Sequence, residues 1–187
     1  MKKILIALFI FAIAGCKKDQ IDPEPPEISF GGWNYVAIDK DGHDSIVELN
    51  INFKDRNGDI GRIESELFDK CGTPIYDLFI YYEKKINNVY TPEFVDPAQP
   101  DSALDENCNI VPGSYVANRQ INFTRALEYL QPEGNNRSIE GEIIYKLDYD
   151  NALSILNKFP AGRCKVFLLD RARNKSNEIY TEDLIVH

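Results

Sequence analysis

Over residues 47–53 the chain alternates without a break. Val47, Leu49, Ile51 and Phe53 are apolar, and Glu48, Asn50 and Asn52 between them are polar. A side-chain period of two belongs to an extended strand with one face in a core and one in water; a helix repeats every 3.6 residues. The same period returns over residues 138–149, with Ile139, Ile143, Tyr145, Leu147 and Tyr149 on one side and Glu140, Glu142, Lys146 and Asp148 on the other. Between them, Leu78, Ile80 and Tyr82 alternate with Phe79, Tyr81 and Glu83, a strand apolar on both faces and therefore central in its sheet.

Weaker strand signals fill the remaining chain. Residues 33–38 are aromatic and β-branched and run into Asp39-Lys40-Asp41-Gly42, whose Asp-Gly step suits a hairpin. Val89-Tyr90 pairs back across Asn87-Asn88, and residues 115–123, 164–169 and 178–186 are further strands. Helical signals are short: residues 125–130 read as one turn before Pro132, and Asp150 caps a pattern through Leu153 and Leu156 that ends at Pro160-Ala161-Gly162. Residues 91–113 lose periodicity and gather prolines and acids around Cys108, a solvated excursion or a binding loop that carries Phe94. The fold class is all-β: one antiparallel sandwich of about seven strands.

The amino terminus sets the compartment. Met1-Lys2-Lys3 is followed by an apolar run over residues 4–14 and then Gly15-Cys16. That is a secretory signal with a cleavage site, and the run is too short to span a bilayer core, which needs roughly 17–25 residues. A small residue directly before a cysteine resembles the lipobox of bacterial lipoproteins. The resemblance implies cleavage before Cys16, a diacylglycerol on its sulfur and a palmitate-type acyl chain on its amine. Such a double anchor holds a protein stably to a membrane, here as an outer-membrane lipoprotein of the cell envelope. Residues 1–15 form the signal peptide, 16–27 the lipidated cysteine and a charged, proline-rich tether, and 28–187 the β-sandwich domain.

Removing residues 1–15, which hold two lysines and no acids, leaves 19 basic against 30 acidic side chains, so the net charge moves from −9 to −11. So acidic a chain is repelled by nucleic acid. Export also places Cys71, Cys108 and Cys164 in an oxidising compartment. Asp-Lys-Cys71-Gly and Glu-Asn-Cys108-Asn are turn-rich settings in which a disulfide staples loops, whereas Cys164 opens an apolar run and reads as a small buried hydrophobe.

The strand at residues 47–53 leads into Asp55-Arg56-Asn57-Gly58-Asp59-Ile60-Gly61. Asp55, Asn57 and Asp59 alternate, so their oxygens can turn inward around calcium, and Glu66 stands where an EF-hand places its last ligand. Ile60 occupies the position an EF-hand reserves for glycine, and a polar turn explains the same residues by backbone needs alone. Asp39, Asp41 and Asp44 form a weaker set of the same kind.

Phe159-Pro160-Ala161-Gly162, the strand from Cys164, and Asp170-Arg171-Ala172-Arg173-Asn174-Lys175-Ser176 resemble the last hairpin of bacterial immunoglobulin-like or fibronectin-III-like domains, with Arg173 where glycine usually stands. Together with the lipobox, the chain resembles a group of Bacteroidetes lipoproteins that carry such a sandwich. That resemblance implies a fold and an address. Catalysis finds little to work with: His43 sits in a turn, His187 ends the chain, and no metalloprotease, phosphate-loop or dinucleotide motif is present. The expected function is a non-enzymatic binding or structural module with a protein or glycan ligand. The alternative is a carbohydrate-binding accessory lipoprotein of a glycan-uptake system, with Trp33, Phe94 and Tyr115 as its aromatic platform.

Overall fold

β2 (Asp44–Asp55) lies between β1 (Glu27–Ile38) and β5 (Ile139–Asp148) in a three-stranded antiparallel sheet. The computed structural model describes residues 24–38, 42, 44–93, 104–109, 111, 123–132, 137–148 and 161–185. The alternation of β2 is realised residue by residue: Val47, Leu49 and Ile51 are fully buried and Phe53 nearly so. Leu49 stands opposite Trp33 on β1 and Tyr145 on β5, which brings the apolar faces of all three strands to one side.

A second antiparallel sheet runs in the order β4-β3-β6-β7, formed by β3 (Leu78–Ile86), β4 (Val89–Pro92), β6 (Gly162–Leu168) and β7 (Ile179–Tyr180). β3 is interior, as its two apolar faces require. Asn87 and Asn88 close the β3–β4 hairpin with φ of 51° and 61°, the left-handed pair that matches strand twist. Leu78, Ile80 and Tyr82 join Cys164, Val166 and Leu168 in the same hydrophobic cluster as the inner residues of the first sheet. Each such side chain contributes about 1.5–3 kcal/mol on burial. Close approach across the sheet fixes Gly162: a Cβ there would fall 2.1 Å from the Tyr82 hydroxyl.

Two expectations are corrected. Residues 125–130 form no helical turn. Arg125 pairs antiparallel with Leu78 and Glu128 parallel with Arg62, and Leu127 packs against the core. A lone turn of helix is marginal in water, while this pairing gives the backbone partners and buries an apolar side chain. The last strand is also shorter than residues 178–186. Only Ile179–Tyr180 is regular, after which Leu184 returns to bridge Gly162. Cys164 is fully buried in β6, and burial together with nearby Glu83 pushes its thiol up to about 12. It behaves as a hydrophobe and not as a nucleophile.

Candidate functional site

The loop after β2 is organised by a carboxylate. Asp55 is fully buried, and its two oxygens accept the amides of Asn57 at 3.2 Å and Asp59 at 2.8 Å. The same device recurs in this chain. Asp69 accepts from the amides of Cys71 and Thr73, and Asp105 accepts from those of Asn107 and Asn109, again two and four residues on. Asp170 accepts both the backbone amide and the side-chain amide of Asn174, each at 2.7 Å. In these loops the amides converge on an anion, where a calcium loop turns its oxygens onto a cation.

Asn57, of the expected calcium set, is held through its amide nitrogen. Its side-chain amide donates to the Glu24 carbonyl at 3.1 Å, beside an Arg56–Glu24 ion pair at 2.7 Å. Glu66 is instead ion-paired with Arg171. Asp55 and Asp59 come together with Asp170, which the sequence spacing did not associate with them. The Arg171 amide donates to the Asp59 carbonyl at 3.0 Å and ties the two loops to each other. Asp59 Oδ1 is buried without a hydrogen-bond partner. Desolvation, with repulsion from Asp170 and then Asp55, raises the Asp59 carboxyl to about 6. Among the described residues, no group of three or more His, Cys, Asp or Glu side chains is arranged to hold a metal ion.

The raised Asp59 carboxyl has a readable sign. Folding favours the proton on Asp59, so its penalty is absent below the unfolded value of 3.8 and in full force above about 6. Asp59→Asn is expected to raise the melting temperature at about pH 7.5 and to leave it nearly unchanged at about pH 3. Melts of both proteins at both pH values check this; equal shifts at the two would disprove it.

The disulfide Cys71–Cys108 joins the Asp69 and Asp105 loops, with Cα atoms 5.2 Å apart. Lys70 adds a hydrogen bond to the Glu106 carbonyl across the same junction. Trp33 is no free platform: it packs against the core, meets Phe30 edge-on at 6.0 Å, and donates from its indole to the Glu182 carbonyl at 3.1 Å. Cys16, Asp39, Asp41, His43, Phe94, Tyr115, His187 and the Asp44 side chain lie outside the described residues.

The outward face of the second sheet was not singled out from the sequence. There, Phe79, Tyr81 and Glu83 of β3 stand opposite Phe167, Lys165 and Arg163 of β6. Phe79 and Phe167 stack at 4.8 Å, with Lys175 covering the Phe167 ring at 4.2 Å. Arg163 lies over two rings at once, Tyr90 at 3.9 Å and Tyr180 at 4.1 Å, while its Nε donates to Glu83 at 2.8 Å. Tyr90 is oriented in turn by its hydroxyl, which donates to Asp183 at 2.6 Å. Contacts of these two kinds each contribute about 0.5–2 kcal/mol, and together they hold the guanidinium flat and fixed. The residues come from strands far apart in sequence, so period-two patterning marks them only as a solvent face.

No protein-family model, curated protein or solved structure matches the chain.

Proposed function

We propose that the chain is a lipid-anchored protein of the cell envelope, held at the outer membrane through Cys16. Its immunoglobulin-like sandwich of about seven strands acts as a non-enzymatic binding or structural module. The observation that carries this reading is the position of Gly15-Cys16, directly after an apolar run and before a proline-rich tether. The Cys71–Cys108 disulfide supports it, since such bonds belong to oxidising compartments. Partition between detergent and aqueous phases tests it. The wild-type chain is expected in the detergent phase, with unprocessed precursor accumulating under the lipoprotein-peptidase inhibitor globomycin, and Cys16→Ser in the aqueous phase. Normal processing under the inhibitor overturns the anchor.

Two ligand readings accompany the module. Calcium at Asp55, Asn57 and Asp59 draws its support from Asp59 Oδ1, buried and without a partner beside two further carboxylates. Melts with calcium and with a chelator decide it, and superimposable curves remove the metal. The second reading is carbohydrate binding in a glycan-uptake system. With Trp33 engaged in the core, that reading moves to the aromatic and cationic residues on the outward face of the second sheet.

A further inference from the structure

The whole chain carries 21 basic and 30 acidic side chains, yet one surface reverses that balance. On the outward face of the β4-β3-β6-β7 sheet, Lys85, Arg163, Lys165 and Lys175 meet three carboxylates, Glu83, Asp183 and Glu178. Lys165 forms no ion pair among the described residues and rests over the Tyr81 ring at 5.4 Å. Arg163 is held between two tyrosines, with only its Nε engaged by Glu83. Among the described residues its two terminal nitrogens donate to nothing. A guanidinium fixed in plane with a free edge is the donor pair that a carboxylate accepts in bidentate fashion.

Tyr180 stands beside this edge on β7, opposite Lys165, and is 46% exposed. One face of its ring is taken by Arg163, and an exposed tyrosine ring is a rigid apolar surface suited to the C–H face of a sugar. The Phe79–Phe167 stack offers no such surface, because those rings lie against each other and under Lys175. Carboxylate recognition and ring stacking thus stand side by side, on opposite faces of the Tyr180 ring, a pairing that an acidic peptide matches only by charge and a neutral sugar only by shape.

Resting on the glycan-binding reading above, we infer that this face binds an acidic saccharide. Arg163 grips a uronate carboxylate, Lys165 attracts the charge of the saccharide, and the far face of Tyr180 stacks on the pyranose ring of an adjacent unit.

Calorimetric titration of the full-length protein in detergent micelles tests this, with hexagalacturonate, neutral maltohexaose and hexaglutamate as probes. Hexagalacturonate is expected to bind and the other two are not. Arg163→Gln weakens binding by about tenfold, and Lys165→Gln by about threefold with added salt erasing the difference. Tyr180→Ala, at an exposed position, weakens binding at low and high salt alike. Equal binding of hexaglutamate, or hexagalacturonate binding that ignores both Arg163→Gln and Lys165→Gln, overturns the inference. Maltohexaose binding untouched by these variants also overturns it while sparing the broader glycan reading; silence with all three probes removes the site. Because no arm uses the anchor, none of these outcomes bears on Cys16.

Discussion

Asp77→Ala is expected to lower the unfolding free energy by about 3–5 kcal/mol. Asp77 is fully buried at the entry to β3, and its carboxylate accepts from Arg62 Nε at 2.8 Å and from the Leu127 amide at 3.3 Å. Its backbone carbonyl also accepts the Leu169 amide at 2.8 Å, so one residue ties three segments together. Burial raises its carboxyl above the usual value, and Arg62 and the Leu127 amide pull it back only in part. The pair is therefore costly to bury and costlier to halve. Truncation leaves the Arg62 guanidinium, whose Nη2 already lacks a partner, buried without its counter-ion. Urea unfolding with an unchanged m-value checks the loss. The double variant Asp77→Leu with Arg62→Met is expected to recover most of it, because an apolar replacement of both partners removes the desolvation cost. A loss below about 1 kcal/mol for Asp77→Ala would show that Arg62 escapes to solvent.

Breaking the Cys71–Cys108 bridge ranks next. The two cysteines are 37 residues apart, and releasing a ring of that size from the denatured chain costs about 4 kcal/mol in the chain-entropy model. Paired Cys71→Ser and Cys108→Ser substitutions, or melting with reductant, are expected to lower the melting temperature by several degrees. The surrounding loops bury little, with Phe68 at 57% and Leu104 at 40% exposed. Limited proteolysis should therefore cut the reduced protein first within residues 71–108. An unchanged melt with faster cleavage there would show that the crosslink restrains the native loops without governing global unfolding.

The long strands were legible because their signal is local. In β2 and β5 the core-facing residues recur at every second position over 47–53 and 143–147, so the buried face follows from sequence alone. β3 declared itself interior by being apolar on both faces. Residues 125–130 misled for the opposite reason: their local preference was slight, and pairing with Leu78 and Arg62 decided their conformation. At the hairpin after β6, Arg173 takes the left-handed φ of 68° that glycine would adopt freely. Its guanidinium donates to the Tyr76 carbonyl at 2.9 Å, an offset that no reading of the turn motif alone would include.

The candidate sites divide along the same line. Asp55, Asn57 and Asp59 were conspicuous by spacing, but spacing does not say whether a carboxylate attracts a cation or caps amides. In this loop Asp55 accepts two backbone amides, and the Asn57 side-chain amide donates to Glu24. Asp170 lies more than a hundred residues from Asp59, and only the packing of two loops makes it that residue's largest electrostatic neighbour. Tyr90, Arg163 and Tyr180 sit on three strands of one sheet, brought together by pairing whose register is set across the core. By itself the sequence determined the strand faces, the acidic charge and the apolar run ahead of Gly15-Cys16, all consequences of residues close together in the chain. Which carboxylates crowd and which cation is clamped between rings were decided by tertiary structure, because those energies depend on distances that only folding creates.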